Sequence, residues 1–136
     1  MPTLQLKLAP AVAPALQAQL AHELTQLSTR LLAKREEVTA VMVETLPATQ
    51  WFIGGATLTQ PTAWLEISIT AGTNTEGQKA AFIHAAHTAL QRYVGGGQEL
   101  AAASYVIVRE LAATDWGYGG HTQAARRHRA AAPSAL

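Results

Sequence analysis

The 136-residue sequence predicts an α/β fold in which two fused β-α-β units form a four-stranded sheet with two helices on one face. Three observations lead to it. Leucines alternate with polar residues in Thr3-Leu4-Gln5-Leu6-Lys7-Leu8, the period-two pattern of a strand with one buried face. Leu16, Leu20, Leu24, Leu27 and Leu31 recur at spacings of three and four, as on a helix with one apolar side. The order strand, helix, strand, aromatic, Gly-Gly then occurs a second time.

The first helix is expected from roughly residue 13 to residue 33, with Pro14 in the first turn, where a missing N–H costs nothing. Val38 to Glu44, rich in β-branched residues, reads as the second strand. Pro47 then opens a loop ending in Trp51-Phe52-Ile53-Gly54-Gly55. In the second unit, Trp64 to Ile69 alternates like the first strand. Asn74 or Thr75 is placed to cap a helix over Ala80–Val94, which Gly95-Gly96-Gly97 stops. Ser104 to Leu111 supplies the fourth strand, and Trp116-Gly117-Tyr118-Gly119-Gly120 closes the unit. A helical crossover joins the strands within a unit, so they should run parallel. The expected domain is 1–125, divided at about residue 60. An alanine-rich basic tail over 126–136 should fray.

An apolar share of 49% excludes a disordered chain, and ten basic against nine acidic residues give no global attraction to nucleic acid or anionic membrane. The absence of cysteine excludes a disulfide framework, a thiolate zinc site and a cysteine nucleophile. No apolar run approaches the ~18–20 residues of a membrane span, and Lys7 falls where a leader would be apolar, so a cytoplasmic location is expected. His84 and His87 have helical metal-ligand spacing without a third ligand, and otherwise read as a surface pair. The remaining histidines (His22, His121, His128) form no triad with a serine and an acid. Gly54-Gly55 and Gly119-Gly120 are turn glycines, not a phosphate cradle. The Arg126-Arg127-His128-Arg129 cluster reads as a nucleic-acid contact or a solvated tail, and the neutral chain favours the tail.

Met1-Pro2 at the head of a strand, and Glu110-Leu111 followed by Trp116-Gly117-Tyr118-Gly119-Gly120, resemble the tautomerase superfamily. The likeness covers about residues 2–125. It is to the 4-oxalocrotonate tautomerase type, in the form that fuses two units, as cis-3-chloroacrylic acid dehalogenase and malonate semialdehyde decarboxylase do. The resemblance implies a homotrimer that needs no cofactor or metal. It implies that Pro2, freed by removal of Met1, is the acid or base acting on a small 2-keto/enol acid. Tautomerisation comes first, with dehalogenation, hydration, decarboxylation or an inactive trimeric scaffold as the other outcomes. While Met1 remains, the Pro2 nitrogen is a tertiary amide with no proton or free lone pair. Proline after Met is also common wherever Met excision is merely permitted.

The resemblance also implies arginines that bind the substrate carboxylate, and this chain departs from it there. Pro10-Ala11-Val12 stands where a Gly-Arg turn is expected. Thr39 replaces an arginine early in the second strand, and Thr70-Ala71-Gly72-Thr73 carries no charge. The candidates left for substrate binding are Thr39, Thr73, Tyr105 and Arg109, with Trp51 and Trp116 as apolar walls. Each has a structural reading too: Thr73 as a cap, Tyr105 as a packed strand aromatic, Arg109 in an ion pair, the tryptophans in hairpin packing. Without the arginines, weak activity on the family's usual substrates is expected.

Overall fold

The structure is a computed structural model and describes residues 2–131. Strand β1 (Thr3–Ala9) leads to helix α1 (Pro14–Leu32), strand β2 (Ala40–Thr45) and a hairpin of β3 (Phe52–Ile53) and β4 (Ala56–Thr57). The second half repeats this with β5 (Thr62–Thr70), helix α2 (Glu76–Leu90), β6 (Tyr105–Leu111) and a hairpin of β7 (Gly117–Tyr118) and β8 (His121–Thr122). Helix α3 (Gln123–Ala131) follows. The four long strands form one sheet in the order β2-β1-β5-β6. Its two β-α-β pairs are parallel, and β1 and β5 meet antiparallel at the centre.

Alternation along the strands sets the two faces. Leu4, Leu6 and Leu8 of β1 and Leu65, Ile67 and Ile69 of β5 are buried, and they share one apolar cluster with Leu20, Leu24 and Leu27 of α1 and Phe82, Ala86 and Leu90 of α2. Both helices therefore cover the same face, as the sequence predicts. Thr3, Gln5 and Lys7 point the other way, and the Lys7 ammonium lies 5.3 Å from the centroid of the Trp64 ring.

Several boundaries move. The second strand begins at Ala40, because Glu36–Val38 form a short 3-10 turn. Helix α2 begins at Glu76, earlier than the apolar pattern shows. Thr75 accepts from the Gln78 backbone N–H at 3.1 Å while the Gln78 side chain accepts from the Thr75 N–H at 2.9 Å. This reciprocal cap holds a first turn with no buried residue in it. Its loss in Thr75→Ala should cost about 1 kcal/mol, lowering the melting temperature by about 4 °C in a calorimetric scan. After Leu90 the helix widens into a π-turn over Gln91–Gly95 before the glycines end it.

The largest departure is at the carboxyl end. Residues 126–131, expected to fray, belong to helix α3, and residues 132–136 of the expected tail lie outside the described residues. Two backbone bonds, Gln123 N–H to Trp116 O (2.9 Å) and Ala124 N–H to Ala113 O (2.8 Å), fasten the start of α3 to the loop after β6. Among the described residues no helix is long and apolar enough to cross a membrane. No group of three or more His, Asp or Glu side chains among them could hold a metal ion.

Candidate active site

Pro2 enters the sheet at the start of β1. Its carbonyl accepts from Ala40 N–H at 3.3 Å, and the residue is buried. Thr3 pairs with Ser68, so one further step of the antiparallel register sets Pro2 beside Ile69, immediately before Thr70. Alternation aims the ring toward the helix-covered side of the sheet.

At this end of the sheet several chain segments converge. Ala33 closes α1 in the left-handed region (φ 56°), and the reversal turns Lys34 inward, where it is 9% exposed. The Lys34 Nζ donates to Thr73 Oγ1 at 2.9 Å, and Thr73 Oγ1 in turn donates to the Thr70 carbonyl at 2.6 Å. Asn74 Nδ2 donates to the Leu32 carbonyl at 3.0 Å, tying the loop before α2 to the end of α1. From the other half, Ala71 N–H donates to Leu111 O at 2.8 Å, so β6 delivers its hairpin and α3 to the same place.

Lys34, Arg35, Thr70, Thr73, Tyr118, Gln123, Arg126 and Arg127 line a cavity of about 230 Å³ there. On α3, Arg126 donates to the Tyr118 carbonyl through Nη2 (2.7 Å) and Nε (3.3 Å), with its guanidinium 3.7 Å from the centroid of the Tyr118 ring. Gly119 permits this approach. It has φ +62°, and a Cβ there would lie 2.6 Å from Arg126 Nη2. Arg35 is exposed and paired with Glu37 at 2.8 Å. Burial, and then the positive charge of Arg127, hold the Lys34 ammonium below the usual lysine value.

The predicted site residues divide. Thr39 flanks Pro2 across the β1–β2 register, although its hydroxyl donates to the Arg35 carbonyl at 2.6 Å. Thr73 lines the cavity as a partner of Lys34. Trp116 is on the hairpin loop at the Pro2 end, half-buried, and its Nε1–H finds no acceptor among the described residues. Three others are not gathered here within the chain. Tyr105 pairs with Trp64, which pairs with Lys7, so it stands far along the sheet from Pro2, and it is 59% exposed. Trp51 follows β2, whose last residue pairs with Leu8, and so belongs to the end of β1 opposite Pro2. Arg109 pairs with Ser68 on the face away from the helices, is exposed, and lies 3.9 Å from Glu66. His84 and His87 are both exposed.

The aligned arginine positions stay empty, and this cavity takes its cations from elsewhere in the chain. Lys34 and Arg35 directly follow α1, and Arg126 and Arg127 were read as tail. The signal was present as two basic doublets, each next to a segment that the β-α-β repeat carries to one edge of the sheet.

Residues 64–126 match the family model described as tautomerase enzyme, a segment that starts after Pro2. A wild-type fused 4-OT described as an asymmetric trimer is 26% identical, over 91% of this chain and 98% of its own, with a TM-score of 0.79. Another, described as a symmetric trimer, is 20% identical over the same shares, with a TM-score of 0.80. A protein described as Pt0534 inactivated by 2-oxo-3-pentynoate is 20% identical over 91% and 98%, with a TM-score of 0.77. No curated protein matches the chain.

Proposed function

We propose, from the premise that this chain is a fused two-unit member of the tautomerase superfamily, that Pro2 with Met1 removed is a general base for keto–enol tautomerisation of a small 2-oxo acid. The observation that carries the reading is the position of Pro2: buried at the head of β1, one register step from Thr70 on the wall of a small cavity.

An α-amino group ordinarily titrates a little below pH 8, and burial disfavours its charged form further. None of the described lining residues is acidic, so no carboxylate in that wall holds a proton on the amine. A neutral amine takes the enol O–H proton. The oxygen electron pair then forms the carbonyl, and the C=C pair receives the proton at carbon from the protonated amine. Charge developing on the enolate oxygen would be stabilised by the nearby cations. A protonated proline would instead serve the hydration, dehalogenation or decarboxylation known in the superfamily, so the uncharged state favours tautomerisation.

A homotrimer is part of the proposal, by likeness to the fused 4-OT trimers. In it Trp51 and Tyr105 could serve only a neighbouring subunit's Pro2. The test is 2-oxo-3-pentynoate, a conjugated ynone acid whose alkyne carbon β to the ketone bonds to a neutral amine. Intact-mass and peptide analysis should show Met1 absent and one reagent molecule on Pro2, with loss of activity. A retained Met1, or labelling only elsewhere, would defeat the proposal.

A further inference from the structure

We propose that the side-chain amine of Lys34 condenses with a small aldehyde to form an imine, a chemistry separate from the proton transfer assigned to Pro2. The Nζ lone pair adds to the carbonyl carbon, and the carbonyl electron pair takes up a proton to give a carbinolamine. Both hydrogens of the amine then leave with the carbonyl oxygen as water, and a C=N bond remains.

The chain supplies its own comparison, because it has three lysines, Lys7, Lys34 and Lys79. Lys79 is in an ion pair with Glu110 at 2.8 Å, and the Lys7 ammonium lies 5.3 Å from the centroid of the Trp64 ring. Both contacts favour the ammonium form, which has no lone pair to give. Lys34 is 9% exposed and lines a cavity, and among the described residues no carboxylate pairs with it.

The groups around Lys34 act in one direction. Arg126 and Arg127 face the same cavity from α3, Tyr118 from β7 and Arg35 from the next position in the chain. The two carboxylates nearest in sequence are engaged elsewhere: Glu36 accepts from Gln26 Nε2 at 3.0 Å, and Glu37 from Arg35 Nε at 2.8 Å. Burial and the charge of Arg127 therefore favour the free amine.

Hydrogen bonding sets how that amine is presented. The Thr73 hydroxyl gives its proton to the Thr70 carbonyl at 2.6 Å, with Asn74 Oδ1 farther off at 3.4 Å. Thr73 Oγ1 therefore accepts from Lys34, at 2.9 Å. One N–H is held against the wall, and the lone pair of the free amine is left for a carbonyl carbon. The arginines supply N–H donors for the carbonyl oxygen as it gains charge. At about 230 Å³ the cavity has the volume of about seven or eight waters, which suits an aldehyde of a few carbons.

Incubating the full chain with propanal and cyanoborohydride, which reduces imines to stable secondary amines, tests the assignment by peptide mapping. At pH 7 Lys34 should be alkylated about fivefold or more faster than Lys7 and Lys79, and its labelling should begin at lower pH than theirs. Arg127→Gln should slow labelling at Lys34 and leave Lys7 and Lys79 unchanged, with thermal melting confirming the fold. Equal rates at the three lysines, or Lys34 the slowest, would overturn the proposal. Pro2 is read on its own amino-terminal peptide, and Pro2→Ala should label Lys34 at the wild-type rate. Failure of the reading of Pro2 would thus leave the result at Lys34 untouched.

Discussion

Pro2→Ala should lower kcat/KM for ketonisation of phenylenolpyruvate by about 10²-fold or more, mostly through kcat, with melting temperature and assembly unchanged. Alanine also permits Met removal, so the variant still ends in an amine. That amine is primary, however, and rotates freely where the pyrrolidine ring fixes the lone pair. In the wild type, the rate should rise with pH along a limb that lies below the ordinary α-amino value, because the amine must lose its proton to act and burial makes that loss easier. A steady-state pH profile checks the limb. Equal rates for wild type and variant would take this chemistry away from Pro2.

Phe82→Ala should destabilise the fold by about 3–5 kcal/mol, a large share of the ~5–15 kcal/mol that holds a domain of this kind. Phe82 is fully buried in the cluster shared by both helices and the central strands, and deleting the ring opens a cavity the helices cannot close without leaving the sheet. Urea unfolding measures the loss. A cost under about 1 kcal/mol would mean that the two halves do not share one core.

The strands and α1 were legible because each buries a regular stripe: Leu4, Leu6 and Leu8 at period two, and Leu20, Leu24 and Leu27 at helical spacing. The start of α2 was not, since Glu76 to Ala81 includes no buried residue and the turn is held by a cap. The hairpins were visible only as glycine pairs. Gly54, Gly55, Gly119 and Gly120 all take positive φ, which the residues disclose, whereas the short strands they join have no pattern to read. Pro2 became a candidate through its place in the chain and through likeness. The cationic cavity beside Thr70 was missed because Lys34 and Arg127 are 93 positions apart in sequence, and only the docking of α3 brings them together. For Arg109 the sequence left two faces open. One residue of strand phase decides its face, and that phase is set by pairing with Ser68, which composition does not reveal.

The attachment of α3 through Gln123 and Ala124 makes the two repeats unequal partners. The cavity at that end draws Lys34 and Arg35 from the first repeat, while its remaining guanidinium groups, on Arg126 and Arg127, come from the helix after the second. Neither half expressed alone would possess a whole pocket, so the two repeats, alike in fold, cannot be separated without dismantling it.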